Sequence, residues 1–123
     1  MAKYLADTNV LIDHLRGSSQ ATEFLTKESP AISAITVAEL IQGCRSPKQL
    51  AQVNILLSDF EVLHIDYSIS NLATKLVSDL YLSHGLKLLD AIVAATAIKH
   101  KLILKTQDAK HFKFIKSAVS DFC

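Results

Sequence analysis

Four acidic residues stand where the chain changes direction. Asp7 follows the short apolar run from Lys3 to Ala6, and Glu39 lies in the first turns of a stretch opened by Thr36. Asp90 opens the apolar stretch from Ala91 to Ile98, and Asp108 follows the run from Leu102 to Lys105. If the runs are parallel strands, their carboxyl ends share one edge of a sheet, where ligands bind at the point at which strand order reverses. Carboxylates gathered there repel by about 4 kcal/mol per pair at 4 Å and an effective dielectric near 20, and each raises the pKa of the others. A divalent cation removes that cost. Hard oxygen donors with no cysteine favour Mg²⁺ or Mn²⁺ over Zn²⁺, and the chemistry such a site supports is metal-assisted hydrolysis. Each acid also has a local explanation: Asp7 and Asp90 as helix N-caps, Thr36-x-x-Glu39 as a capping box, and Asp108 as the anchor of an Asx turn. Capping accounts for each acid singly and not for a shared edge.

The elements that must position these acids follow from pattern. Lys3 to Ala6 reads as a buried strand, Thr8 to Arg16 as a helix closed by Gly17, and Ser19 to Lys27 as a second helix. Ala31 to Ile35 reads as a strand, and a helix follows from Thr36. Ser46-Pro47 is a cap followed by proline at the first helical position, which starts a further helix. Glu61 to Ile65 reads as the third strand. Ile69, Leu72, Ala73, Leu76 and Leu80 share one face of a helix that stops near Gly85. Ala91 to Ile98 is apolar all round except Thr96, so that helix belongs in the centre of the molecule. Leu102 to Lys105 reads as a fourth strand, and a weak fifth lies near Val119. Alternating strands and helices predict an α/β fold, a central parallel sheet flanked by helices in three layers.

The 123 residues, half of them hydrophobic, make one domain spanning 1–123, large enough to fold on its own core. The two cysteines, Cys44 and Cys123, have neither zinc-ligand nor disulfide-framework spacing, so the chain is read as reduced and cytoplasmic. No apolar run reaches the length of a membrane span or a signal peptide. Thirteen basic residues against twelve acidic give a net charge of +1, which excludes a nonspecific nucleic-acid coat. The basic charge is unevenly spread: residues 99 to 116 carry six lysines and two histidines against Asp108 alone.

The motifs Asp7-Thr8-Asn9-Val10-Leu11-Ile12-Asp13, Thr36-Val37-Ala38-Glu39-Leu40, Leu89-Asp90-Ala91-Ile92-Val93-Ala94-Ala95-Thr96-Ala97 and Thr106-Gln107-Asp108-Ala109-Lys110-His111-Phe112 resemble, in order and spacing, the PIN-domain ribonucleases, in particular the VapC-type toxins of toxin-antitoxin pairs. The resemblance covers nearly the whole chain. It implies a Rossmann-like sheet and an endoribonuclease dependent on Mg²⁺ or Mn²⁺. Asp7, Glu39 and Asp90 carry over as the catalytic and metal-binding acids, with Asp108 as a direct ligand or an outer anchor. It implies orienting roles for Thr8, Asn9 and Thr106, a homodimer, and a cognate antitoxin whose tail fills a groove near the acids.

On this reading, activated water attacks the RNA phosphodiester in line, leaving 5′-phosphate and 3′-hydroxyl ends. The five histidines, at 14, 64, 84, 100 and 111, show no acid–base pairing; His111, beside Asp108, is the one placed to meet substrate. Arg16 and Lys87 lie near the acidic edge by sequence position and are candidates for phosphate contact. The helices from Thr36 to Phe60 carry more hydrophobic surface than one sheet face can cover, which predicts a homodimer and an antitoxin groove near Ile41, Leu50, Val53 and Leu56, with extra core the simpler account of any one of them. One rival is a non-catalytic RNA- or protein-binding module on the same fold. Another is a phospho-receiver built on Asp66 and Lys105-Thr106, which lacks the acidic pair expected after the first strand.

Overall fold

The computed structural model describes residues 2–106, Phe112, Ile115 and the backbone of Val119–Asp121. Asp108 and His111 lie outside the described residues. In chain order the elements are β1 (Tyr4–Ala6), α1 (Thr8–Leu15), α2 (Ser19–Glu28), β2 (Ala31–Ser33), α3 (Ala34–Gln42), α4 (Pro47–Leu57), β3 (Val62–Leu63), α5 (Tyr67–His84), α6 (Leu88–Lys99), β4 (Ile103–Thr106) and β5 (Val119–Asp121). The strands form one sheet of order β3-β2-β1-β4-β5, and every pairing is parallel.

Strand alternation divides the core into two layers, as a sheet covered on both faces requires. Leu5 pairs in register with Ala31 and Leu104, and all three face α5 and α6. Ala6 and Ile32, also register partners, turn to the opposite face and pack with Val10 and Leu11 of α1, Ala21 and Leu25 of α2, Leu40 of α3, and Val53 and Leu57 of α4. The predicted three-layer α/β architecture is therefore the one observed. Every residue from Ala91 to Ala97 is buried, so α6 is the central helix that its apolar run predicts.

Local differences from the sequence reading have physical causes. The second strand ends at Ser33 rather than Ile35, because the Ser33 side chain accepts a hydrogen bond from the Ile35 N–H and caps α3 there. Thr36 consequently lies inside the helix, and the proposed Thr36–Glu39 capping box does not form. The third strand shortens to Val62–Leu63 at the sheet edge, where only β2 supplies partners. The central helix starts three residues early, so Asp90 is in its first turn and is not its N-cap; Lys87 occupies that position without a side-chain cap bond. Asp66, the centre of the receiver alternative, caps α5 by accepting from the Ile69 N–H at 2.8 Å. Val53 is in the core at 7% exposed, and Leu56 packs half-buried against the same cluster. Of the residues read as interface, only Ile41 and Leu50 stand exposed.

Candidate active site

The chain runs from β1 outward to β2 and β3, then returns to place β4 on the other side of β1. The order therefore reverses at β1 and β4, where an open α/β sheet forms its ligand crevice. Asp7 is the first residue beyond β1. Its backbone N–H donates to the Lys105 carbonyl at 2.9 Å, one step past the β1–β4 ladder. Its side chain is held at both oxygens: Oδ1 accepts from the Thr8 N–H at 2.8 Å, and Oδ2 accepts from the Thr106 hydroxyl, also at 2.8 Å. Asp7 is thus the N-cap of α1 and also stands at the switch point, so capping does not remove it from the shared edge. Thr106, fully buried at the end of β4, is the donor that holds this second oxygen.

Glu39 approaches from α3. Its Oε1 accepts a hydrogen bond from the Thr8 hydroxyl at 2.6 Å, and that hydroxyl lies 3.0 Å from the Thr36 hydroxyl. As a carboxylate Glu39 can only accept, so the single Thr8 proton is committed to it. Thr36 must then be the donor to Thr8. The result is a directed chain, Thr36 to Thr8 to Glu39. Thr36 and Glu39 are three residues apart on one face of α3, which lets a single hydroxyl from α1 reach both.

Asp7, Thr8, Asn9 and Ile12 from the α1 side, Ile35 and Glu39 from α3, Leu89, Asp90 and Val93 from α6, and Phe112 line one cleft of about 330 Å³. The fold thus brings Asp7, Glu39 and Asp90 together, with Thr8 and Asn9 beside them. Burial raises the pKa of Asp7; the hydrogen bonds from Thr106 and Thr8 oppose that shift, and the charges of Asp90 and Glu39 add to it. Two helix N-termini, those of α1 and α6, meet at the cleft and favour anionic groups there.

The donor set fits a hard divalent cation. It contains carboxylate oxygens, hydroxyls and the Asn9 amide, without thiolate or imidazole among the described residues, and a half-buried carboxylate whose ionisation is opposed by burial and by the charges of Asp90 and Glu39. Among the described residues no three such side chains already form a closed metal cluster. Glu39 is turned to Thr8 through one oxygen, and Asp7 has both oxygens oriented with lone pairs remaining.

Two of the candidate phosphate contacts take other positions. Lys87 is exposed at the N-cap of α6 and does not line the cleft. Arg16, the C-cap of α1, lines a neighbouring groove that shares Ile12 and Glu39 with the cleft. The pattern reading missed Thr36 as a partner of the site, although the spacing Thr36-x-x-Glu39 was its signal. Arg45, Gln49 and Gln52, which belong to no motif, line that neighbouring groove with Arg16.

A three-layer parallel sheet thus carries acids from three separate motifs to its switch point. The chain belongs to the PIN-domain family, whose model matches residues 4–116. It is 37% identical over 117 residues to "Ribonuclease VapC1" of Methanocaldococcus jannaschii, covering 94% of this chain and 82% of that one. It is 35% identical over 123 residues to "Ribonuclease VapC10" of Mycobacterium tuberculosis, covering 96% and 92%. Among solved structures it superposes on a toxin-antitoxin complex from Klebsiella pneumoniae with a TM-score of 0.82 and 34% identity, over 95% of this chain and 96% of that one. It superposes on DNA-bound VapBC from Salmonella typhimurium with a TM-score of 0.89 and 26% identity, over the whole of both chains.

Proposed function

We propose that this chain is a VapC-type toxin, an endoribonuclease that hydrolyses RNA phosphodiesters with Mg²⁺ or Mn²⁺ held by Asp7, Glu39 and Asp90, and with Asp108 as an additional ligand or anchor. The observation that carries the reading is the switch-point cleft, where a half-buried Asp7 has its pKa raised by burial and by two further carboxylates that the fold directs to the same place. A binding module has no use for that repulsion. The relatives named as VapC ribonucleases support the activity, and the toxin-antitoxin complexes among the structural neighbours support a cognate antitoxin as partner.

A bound divalent cation supplies the acidity that activates water and offsets charge on the phosphoryl oxygens. The chain's own residues do the rest. Thr106 and the Thr8 N–H hold the two Asp7 oxygens in fixed directions, and the Thr36–Thr8 chain fixes Glu39. Asn9 stands beside them for the phosphate, and the N-termini of α1 and α6 favour its negative charge. His111 is proposed to meet substrate from beside Asp108, and Lys87 to meet the strand beyond the cleft. The antitoxin and a second copy of the chain are proposed to use the exposed apolar side chains of α3 and α4, Ile41 and Leu50.

The test is cleavage of mixed RNA by purified protein with and without Mn²⁺, alongside Asp7→Asn and Asp90→Asn. Cleavage that requires metal and both acids, and that leaves 5′-phosphate and 3′-hydroxyl ends, is the expected result. Activity surviving both substitutions, or a 2′,3′-cyclic phosphate on the products, would overturn it. Sedimentation as a monomer at micromolar concentration would remove the homodimer.

A further inference from the structure

The groove beside the cleft has a volume of about 530 Å³, within the range of about 300–1,000 Å³ usual for small-ligand sites. It runs between the end of α1 and the start of α4, and the Ile12 and Glu39 side chains form a wall common to groove and cleft. A strand lying in the groove therefore leads to the acids. Charge is sorted between the two spaces. Among the described residues, the cleft is lined by three carboxylates and no lysine or arginine, whereas the groove is lined by Arg16 and Arg45 with Glu39 as its one acid. Gln49 and Gln52 add amides between them.

The two arginines are carried on fixed backbone. Arg16 caps α1, its N–H donating to the carbonyls of Ile12 and His14, and Gly17 at φ +94° turns the chain away behind it. Arg45 precedes the N-cap of α4, and its N–H donates to Gln49 Oε1 at 2.7 Å while the Gln49 N–H donates to Ser46 Oγ at 3.1 Å. This reciprocal pairing ties the α3–α4 connection to the first turn of α4.

We propose that this groove is the subsite for the RNA strand flanking the bond to be cut, with Arg16 and Arg45 each binding a backbone phosphate and Gln49 and Gln52 facing ribose or base edges. The inference rests on the nuclease reading and adds where the substrate lies. A polyanion passing close to three carboxylates is favoured by opposing charge along its path, and arginine forks match phosphate oxygens in pairs. Phosphate contacts of this kind position a strand without reading its sequence.

The experiment measures binding of a short fluorescent single-stranded RNA by anisotropy in EDTA, where the proposed reaction is off, and cleavage of the same RNA in Mn²⁺. Arg16→Ala and Arg45→Ala are expected to weaken binding about tenfold each. Together they should lower the salt dependence of log K by about 1.4, or about 0.7 for each single-strand phosphate left without its arginine. The loss in Mn²⁺ should fall mainly on KM. Arg16→Lys and Arg45→Lys should restore the salt slope more fully than the affinity, because an ammonium keeps the charge and loses the paired geometry. Lys75→Ala on α5, a matched loss of charge far from the groove, should change none of these. Unchanged binding, slope and KM in the double alanine variant, with wild-type cleavage intact, would overturn the subsite and leave the nuclease. Loss of copurifying antitoxin with RNA binding unchanged would likewise overturn it, assigning the groove to a peptide. RNA binding that depends on both arginines in a protein with no metal-dependent cleavage would support the strand path and sink the nuclease reading instead.

Discussion

The Thr8 hydroxyl donates to Glu39 Oε1 at 2.6 Å across 31 residues of sequence, and so joins the start of α1 to the middle of α3 at the rim of the acidic cleft. That proton has one destination because Glu39 can only accept, and Thr36, wholly buried behind it, must face Thr8 as a donor.

Thr36→Val keeps the side chain's shape and removes that donor. The expected loss of stability is about 0.5–1.5 kcal/mol, the net worth of one hydrogen bond, read from urea unfolding. Metal-dependent cleavage should fall about 10- to 100-fold, the usual effect of removing an outer partner of a metal ligand. Thr36→Ser, which retains the hydroxyl, should recover most of the activity. A valine variant with full activity would reduce the chain to a packing feature.

Asp7 makes the metal-free protein sensitive to pH. Burial, helped by Asp90 and Glu39, raises its pKa, so the folded state keeps the proton to a higher pH than the unfolded chain does. Stability without metal therefore falls as pH rises from the ordinary carboxylate range through that raised value. Asp7→Asn removes this contribution. In EDTA the variant should melt above the wild type at about pH 7, and the difference should shrink towards about pH 4. A wild-type melting curve at least as high as the variant's throughout would contradict the sign.

Metal should reverse the ranking. A cation at 100 times its Kd adds about 2.7 kcal/mol to a fold that binds it only when native. Mn²⁺ should therefore raise the wild-type Tm, and Asp7→Asn or Asp90→Asn should lose most of the rise together with at least about 100-fold of activity. Equal shifts in all three proteins would place the ion elsewhere.

Val53 and Leu50 are neighbours on α4 with different duties. Val53→Ala opens the core beneath α4 and should cost about 1–3 kcal/mol, while Leu50→Ala, at an exposed position, should stay within about 0.5 kcal/mol. If Leu50 belongs to the partner surface, Leu50→Ala should weaken copurification of the antitoxin without lowering Tm.

The parallel sheet and the central α6 were legible because short apolar runs alternating with helical patterns, and a helix apolar on every side except at Thr96, leave few alternatives. Asp7 and Asp90 were legible because one follows such a run and the other opens one; Glu39 was legible from its place in the first turns after the second strand. The boundary at Ser33 was less so. Ala31 to Val37 mixes β-branched and small residues that suit a strand as well as a helix, and the decision is made by the Ser33 cap. The role of Thr36 was hidden by the same ambiguity, since Thr-x-x-Glu also spells a capping box. Arg45 was hidden for another reason: it shares a groove with Arg16 only because the α3–α4 connection lies beside the end of α1, a relation between distant segments that no periodicity records.

The bond between Asp7 and Thr106 closes a span of 99 residues, joining the end of the first strand to the end of the fourth. During synthesis the opening acid leaves the ribosome long before the hydroxyl that orients it has been made. A nascent chain therefore holds Asp7 without the hydroxyl that orients it until Thr106 has been made, and the cleft is complete only once β4 has emerged and docked beside β1.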